Sequence, residues 1–190
     1  MNKMIKYALF MFIIGCVVSL LLSVVNEITS PIIERRKLEK VEISLKEVNA
    51  TNKWIASENN EYTDQFIEDS YYCIDDSNNK LIVCYLINTK GYSNGNIESL
   101  IFIDFNTKKI MKVKILNIEN QTKGIGSLIL DDENYVKVYE NVNVKKYKDD
   151  DINKHTSNSV DIISGATISS RGVVQAVISA CNNFIQNEVK

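Results

Sequence analysis

The sequence predicts an α+β protein, with one N-terminal transmembrane helix followed by an antiparallel sheet and flanking helices. Residues 7–26 contain no charged side chain. Between residues 71 and 116, short apolar runs alternate with turn-forming residues, which is the pattern of strands joined by hairpins. From about Ser169 to Gln186, apolar residues recur at intervals of three and four, which indicates a helix. These observations predict an anchor at 1–26, a juxtamembrane helix at 27–50 and a domain at 51–190.

The N-terminal apolar segment is long enough to cross a bilayer. About 20 residues form a helix of roughly 30 Å, the thickness of the hydrocarbon core. A cleaved signal peptide has a shorter apolar stretch, about 7 to 15 residues, and a small-residue cleavage site. The segment is therefore predicted to be retained as a single-pass anchor. Lys3 and Lys6 precede it and basic residues 35–37 follow it, so charge alone does not set its orientation.

The residues after the anchor predict a second helix. Ser30 and Pro31 suit an N-cap and a first helical position, and apolar residues then recur at helical spacing as far as Leu45. Because residues 29–31 are expected to interrupt the chain, this stalk helix is predicted to be separate from the membrane span.

Four strands are predicted in the domain, at residues 71–74, 81–87, 100–103 and 110–116. If Asn78 and Asn79 form a two-residue turn, Cys73 lies opposite Cys84 on the neighbouring strand. Opposed Cβ atoms in a sheet are about 4.5–5.5 Å apart, slightly further than a disulfide prefers. Whether these two cysteines form a disulfide stays open.

Composition excludes several functions. The chain has 22 basic and 24 acidic residues, so it lacks the positive field with which proteins bind nucleic acid. Its one histidine excludes a histidine-based metal site built from this chain alone. That residue, His155, and the aspartates at 149–151 lie in a polar stretch and are predicted to be solvated surface groups.

The segment that precedes the last helix has the chemistry of an anion site. Residues 161–170 read DIISGATISS, a run of small and hydroxylated residues at a helix start. Amide groups there lack intrahelical acceptors, and the helix dipole favours negative charge. The alternative is that Thr167, Ser169 or Ser170 merely caps the helix.

Residue identity favours the first reading. Asp161 and residues 164–167 follow the pattern Asp-x-x-Ser-Gly-Ala-Thr. This pattern resembles the flavinylation motif of FMN-binding domains in the G subunit of the Rnf complex and the C subunit of the sodium-translocating NADH:quinone oxidoreductase. The resemblance implies that Thr167 carries FMN in a phosphoester bond, which a flavin transferase makes from FAD. It also implies that the cofactor site includes Asp161, Ser164, Gly165 and Ala166. A phosphate on Thr167 would lie at the helix start, where Ser169 and Ser170 can donate hydrogen bonds to it.

A second stretch is similar to the same family. Residues 90–93 resemble its Lys-Gly-Tyr region, and residues 119–126 resemble its His-x-Glu-Thr-Pro-Gly-Leu-Gly loop. Thr122, Gly124 and Gly126 match the loop and are assigned to the cofactor site. Glu119 stands at the histidine position and Gln121 at the glutamate position, so no acid or imidazole role carries over to them.

The resemblance implies an electron-carrier subunit of a membrane complex that links ferredoxin and NAD to ion transport. The short chain and single span favour the Rnf G subunit over the quinone-oxidoreductase C subunit. Expected partners are the other Rnf subunits, a flavin transferase and the membrane, with the domain on the extracytoplasmic side. No independent substrate site is expected. Two other classes stay open: a membrane-anchored binding or scaffold domain without flavin, and a hydrolase with Thr167 or a nearby serine as nucleophile.

Overall fold

The computed structural model describes residues 3–57, 62, 64–119, 124, 126–132, 134–156 and 159–188. The chain divides into two compact units, one ending at Ile43 and the other beginning at Ser44. The first unit is helical, and the second contains an antiparallel sheet with helices. The predicted α+β class is confirmed.

Helix α1 spans Lys3–Val48. It contains a stretch with a mean hydropathy of 2.8 that is long and apolar enough to cross a membrane, as predicted for a single-pass anchor. The predicted break at residues 29–31 is wrong, because Pro31 lies inside the helix. Proline removes one backbone hydrogen bond but fixes φ near the helical value. The Oγ1 of Thr29 donates a hydrogen bond of 2.8 Å to the carbonyl of Val25, one turn earlier in the same helix.

The sheet of the second unit has five antiparallel strands in sequential order. They are β1 (Lys53–Ala56), β2 (Ile67–Ile74), β3 (Lys80–Lys90), β4 (Asn96–Asp104) and β5 (Lys109–Ile118). The last four contain the four predicted strands. Strand β1 was not predicted, because its four residues lie in a polar stretch and only Trp54 and Ile55 of them are large and apolar.

The predicted register between β2 and β3 is wrong. Cys73 lies opposite Ile82, and Cys84 lies opposite Tyr71. The turn is longer than two residues because Asp75 organises it. Its carboxylate accepts hydrogen bonds of 2.9 Å and 2.8 Å from the backbone amides of Ser77 and Asn79. Cys73 and Cys84 are buried free thiols.

Helix α3 (Thr167–Asn187) covers one face of the sheet. The core between them contains Tyr85 and Ile101 from the sheet and Val173, Val177 and Phe184 from the helix. The predicted C-terminal helix is thus confirmed and begins two residues earlier than expected. Between β5 and α3 the chain forms helix α2 (Leu128–Asp131) and the short 3₁₀ helices Val136–Tyr139, Val144–Tyr147 and Ile152–Lys154.

Candidate functional site

The loop of residues 161–166 leads into α3 through a tight turn. The backbone amide of Ala166 donates a hydrogen bond of 3.0 Å to the carbonyl of Ile163. Gly165 has a φ of +85°, a backbone conformation that residues other than glycine rarely adopt. The loop therefore requires glycine at this position of the motif for a local, physical reason.

A cleft of about 490 Å³ opens at the start of α3. Its volume falls within the range of about 300–1,000 Å³ that is typical of small-molecule sites. Segments distant in sequence line it, namely the turn after β3, the loop after β5 and the first residues of α3. The lining residues are Tyr92, Gly126, Gly165, Ala166, Thr167, Ile168 and Ser169.

Thr167 is the first residue of α3 and lies on this cleft, where it is half-buried. The residue in the N-cap position is Ala166, which has no side-chain cap. Within the part of the chain that the structure describes, no hydrogen bond uses the Thr167 hydroxyl. The arrangement therefore leaves this hydroxyl available beside the amides of the first helical turn.

The two serines that follow are both buried, but they have different surroundings. Ser169 lines the cleft. Ser170 does not, and its Oγ accepts a hydrogen bond of 3.0 Å from the backbone amide of Ile163. Ser170 therefore fastens the motif loop to the first turn of α3. Ser164 lies exposed on the same loop and is not among the cleft residues.

Asp161 begins the loop and does not line the cleft either. It is only 8% exposed. Its carboxylate oxygen lies 2.8 Å from Nδ1 of His155. The hydroxyl of Tyr135 lies 3.1 Å from the carbonyl oxygen of Asp161 and 3.2 Å from that of Ser170. The structure thus makes Asp161 a buried anchor of the loop.

Burial raises the pKa of Tyr135 to about 12, although its hydrogen bonds with Tyr139 and Ser170 act in the opposite direction. The phenol is therefore protonated at neutral pH, and its single proton can be donated to the carbonyl of Asp161 or to that of Ser170.

The prediction that His155 is a surface residue is wrong. Its side chain is 12% exposed, and its Nε2 lies 3.0 Å from a carboxylate oxygen of Asp150. The prediction of a solvated loop also fails for Asp150, whose side chain is 20% exposed. Asp151 is exposed, as expected. The sequence carries no periodic signal for this cluster, because short 3₁₀ turns bring its members together.

The second predicted stretch reaches the cleft in part. Gly126 is buried and lines it. Gly124 is exposed, with a φ of +77°, and its amide donates to the Ser127 hydroxyl at 2.9 Å, away from the cleft lining. Thr122 lies outside the described residues. Tyr92, from the region that resembles Lys-Gly-Tyr, is 48% exposed and lies on the cleft, although it had not been assigned to the site.

Comparison with protein families identifies this part of the molecule. Residues 91–182 match the model of the FMN-binding domain family. This segment, slightly less than half of the chain, is similar to FMN-binding domains. The matched segment begins one residue before Tyr92 and includes the motif loop and most of α3, so every cleft residue lies within it. Comparisons with curated proteins and with solved structures found no match.

The residues that line the cleft fit FMN, the cofactor of the matched family. The cleft is lined by more apolar than polar surface, as a flat ring system requires. At Gly126 and Gly165 the wall has no Cβ atom, and Thr167 presents a hydroxyl where a helix start favours an anion such as a phosphate. Tyr92 and Ile168, both large and exposed, offer apolar surface on the same cleft.

Proposed function

We propose that this chain is a membrane-anchored electron carrier that holds FMN covalently through Thr167. The observation that carries the proposal is the position of Thr167. It is the last residue of a motif that resembles a flavinylation motif, and it lies on a cleft within the FMN-binding domain. The anchor is the apolar part of α1.

The attachment is a phosphoryl transfer from FAD. The Oγ1 of Thr167 forms a bond to the phosphorus of the FMN half, the pyrophosphate bond of FAD breaks, and AMP leaves. The hydroxyl proton passes to a base of the flavin transferase or to solvent. No oxidant or reductant is consumed. The chain itself presents the hydroxyl and supplies the amides of the first turn of α3 near the phosphate.

When bound, FMN accepts and donates electrons singly or in pairs, which is the chemistry of a carrier. The chain itself holds the flavin and shields it from solvent. Tyr92 and Ile168 supply apolar contact surface, Gly126 and Gly165 allow close approach, and the buried Ser169 helps to form the floor of the cleft. Covalent attachment prevents loss of the flavin between turnovers.

The membrane context is also a proposal. We infer that the chain is the G-type subunit of an Rnf complex, with its domain on the extracytoplasmic side and the other subunits as redox partners. The similarity of the motif and the single apolar helix support this assignment. The C-type subunit of a sodium-translocating NADH:quinone oxidoreductase is the alternative, because it shares the motif. Protease added to intact cells should digest the domain, whereas protection would contradict the proposed orientation.

Intact mass after coexpression with a flavin transferase tests the attachment. The wild-type chain should gain the mass of one FMN, and Thr167→Ala should gain none while it remains folded and in the membrane. Thr51→Ala is a matched control, because Thr51 is exposed and lies before β1. Flavin retained by Thr167→Ala would refute the residue assignment. A wild-type chain that takes no flavin would favour the binding or scaffold alternative.

A further inference from the structure

The buried Asp161 and the partly buried His155 and Asp150 form a continuous polar row beside the motif loop. His155 lies between two carboxylates, with Nδ1 at 2.8 Å from Asp161 and Nε2 at 3.0 Å from Asp150. We call this row the carboxylate–imidazole relay. Each ring nitrogen of His155 thus lies within hydrogen-bond distance of one carboxylate.

The imidazole is held from several directions. Tyr147 stacks on it, with ring centroids 6.5 Å apart and an interplanar angle of 23°. Nε of Arg171, on the first turns of α3, donates a hydrogen bond of 2.8 Å to the carbonyl of His155. The other carboxylate oxygen of Asp150 accepts from the amide of Asp151 at 2.9 Å. The orientation of the ring is thus fixed by contacts independent of Asp161.

The relay acts on the residue at which the motif loop begins. The side chain of Asp161 is held by His155, and its carbonyl group is held by Tyr135, which also reaches the Ser170 carbonyl at 3.2 Å. Thr167 follows Asp161 by six residues. Both ends of the loop are therefore fixed, one by the relay and the other by the first turn of α3.

We infer that His155 is a positioning residue, which orients Asp161 and so presents Thr167 for modification. This inference rests on the proposed function. The Asp161 carboxylate, with 12% exposure, needs a hydrogen-bonding partner, and removal of that partner favours a rearrangement that returns the carboxylate to water. Such a rearrangement moves the start of the attachment loop.

Two substitutions separate the halves of the relay. The amide nitrogen of asparagine corresponds in position to Nδ1, and that of glutamine corresponds to Nε2. His155→Asn therefore keeps a donor toward Asp161, whereas His155→Gln keeps one toward Asp150. We expect the initial rate of flavin attachment, measured by intact mass with FAD and the flavin transferase, to fall at least tenfold in His155→Gln. In His155→Asn it should stay within threefold of wild type.

A control distinguishes positioning from general stability. Glu188 follows the far end of α3, where it accepts a hydrogen bond of 2.6 Å from Tyr72 and one of 2.9 Å from Lys80. Glu188→Gln should lower the melting temperature and leave the attachment rate unchanged. Equal loss of rate in the asparagine and glutamine variants, or rates in both equal to wild type, would overturn the inference.

Hydrogen exchange gives a readout that does not require flavin. In the unmodified full chain, amides of residues 162–168 should exchange at least fivefold faster in His155→Gln than in His155→Asn. If the wild-type chain takes no flavin but this difference is found, the proposed function fails and the positioning role stands. If the wild-type chain is flavinylated and the two variants exchange alike, the positioning role fails alone.

Discussion

Thr89 donates a buried hydrogen bond of 2.8 Å from its Oγ1 to the carbonyl oxygen of Gly172. The bond joins the end of β3 to the second turn of α3. The backbones can approach this closely because Gly172 has no side chain. A Cβ built there would lie 2.8 Å from Cδ1 of Ile97 and 3.0 Å from the carbonyl oxygen of Lys90. Since Tyr92 follows β3 and Thr167 begins α3, this contact joins two elements that lead to the cleft.

Gly172→Ala is expected to destabilise the domain by about 1–3 kcal/mol, the usual cost of overpacking a core. The melting temperature of the full chain in detergent measures the effect. Adding Ile97→Val should recover part of the loss, because it removes the closest contact and leaves the rigid Lys90 carbonyl in place. An unchanged melting temperature in the single variant would contradict the close approach.

Much of the fold could be predicted because its signals are local. The apolar runs of β3 and β4 and the three- and four-residue periodicity of α3 depend only on neighbouring residues. The register of β2 could not be predicted in the same way. The register depends on the turn between β2 and β3. A two-residue turn and a longer turn organised by the Asp75 carboxylate are both compatible with asparagines at positions 78 and 79. The helix break predicted at Pro31 was wrong for a related reason. A proline in the sequence does not by itself show whether a long helix continues through it.

For the candidate site, too, the features that are local in sequence could be predicted and the others could not. Its motif residues are consecutive in the chain, so the cofactor-site hypothesis could be made from sequence. Sequence reasoning missed two features of the site. Tyr92 reaches the cleft through the turn between β3 and β4, and the relay is formed by irregular 3₁₀ turns, so neither has a periodic sequence pattern. The sequence also could not show that Ser169 and Ser170 have different surroundings, because packing creates this difference. Ser169 lines the cleft, whereas Ser170 accepts a bond from the loop.

Gly165→Ala is expected to reduce flavin attachment more than it reduces stability. A side chain in the left-handed region costs about 1–2 kcal/mol, and the strain falls on the loop that presents Thr167. Gly165→Asn should have a milder effect, because asparagine adopts positive φ more readily than alanine does. Intact mass measures attachment and melting temperature measures stability. Equal attachment in the alanine and asparagine variants would show that backbone conformation at this position is not what limits modification.

The buried phenol of Tyr135 predicts a loss of stability at alkaline pH. An unfolded tyrosine titrates near pH 10, whereas burial raises the pKa of Tyr135 in the folded chain to about 12. Between these values the unfolded chain has lost a proton that the folded chain keeps, so the free energy of unfolding falls as pH rises. The contribution of Tyr135 is complete below pH 10 and is lost as the pH passes through about 12.

Tyr135→Phe should separate this effect from the loss of hydrogen bonds. At pH 8 the variant should be less stable than wild type by about 1 kcal/mol, because it loses the one hydrogen bond that the phenol donates to the Asp161 or the Ser170 carbonyl. Between pH 10 and 12 its stability should decline less steeply, by up to about 1.4 kcal/mol per pH unit. Some decline should remain, because burial also raises the pKa of Tyr139 and Tyr147. Urea unfolding at several pH values measures both quantities, and parallel pH profiles for the two proteins would contradict the assignment of this proton to Tyr135.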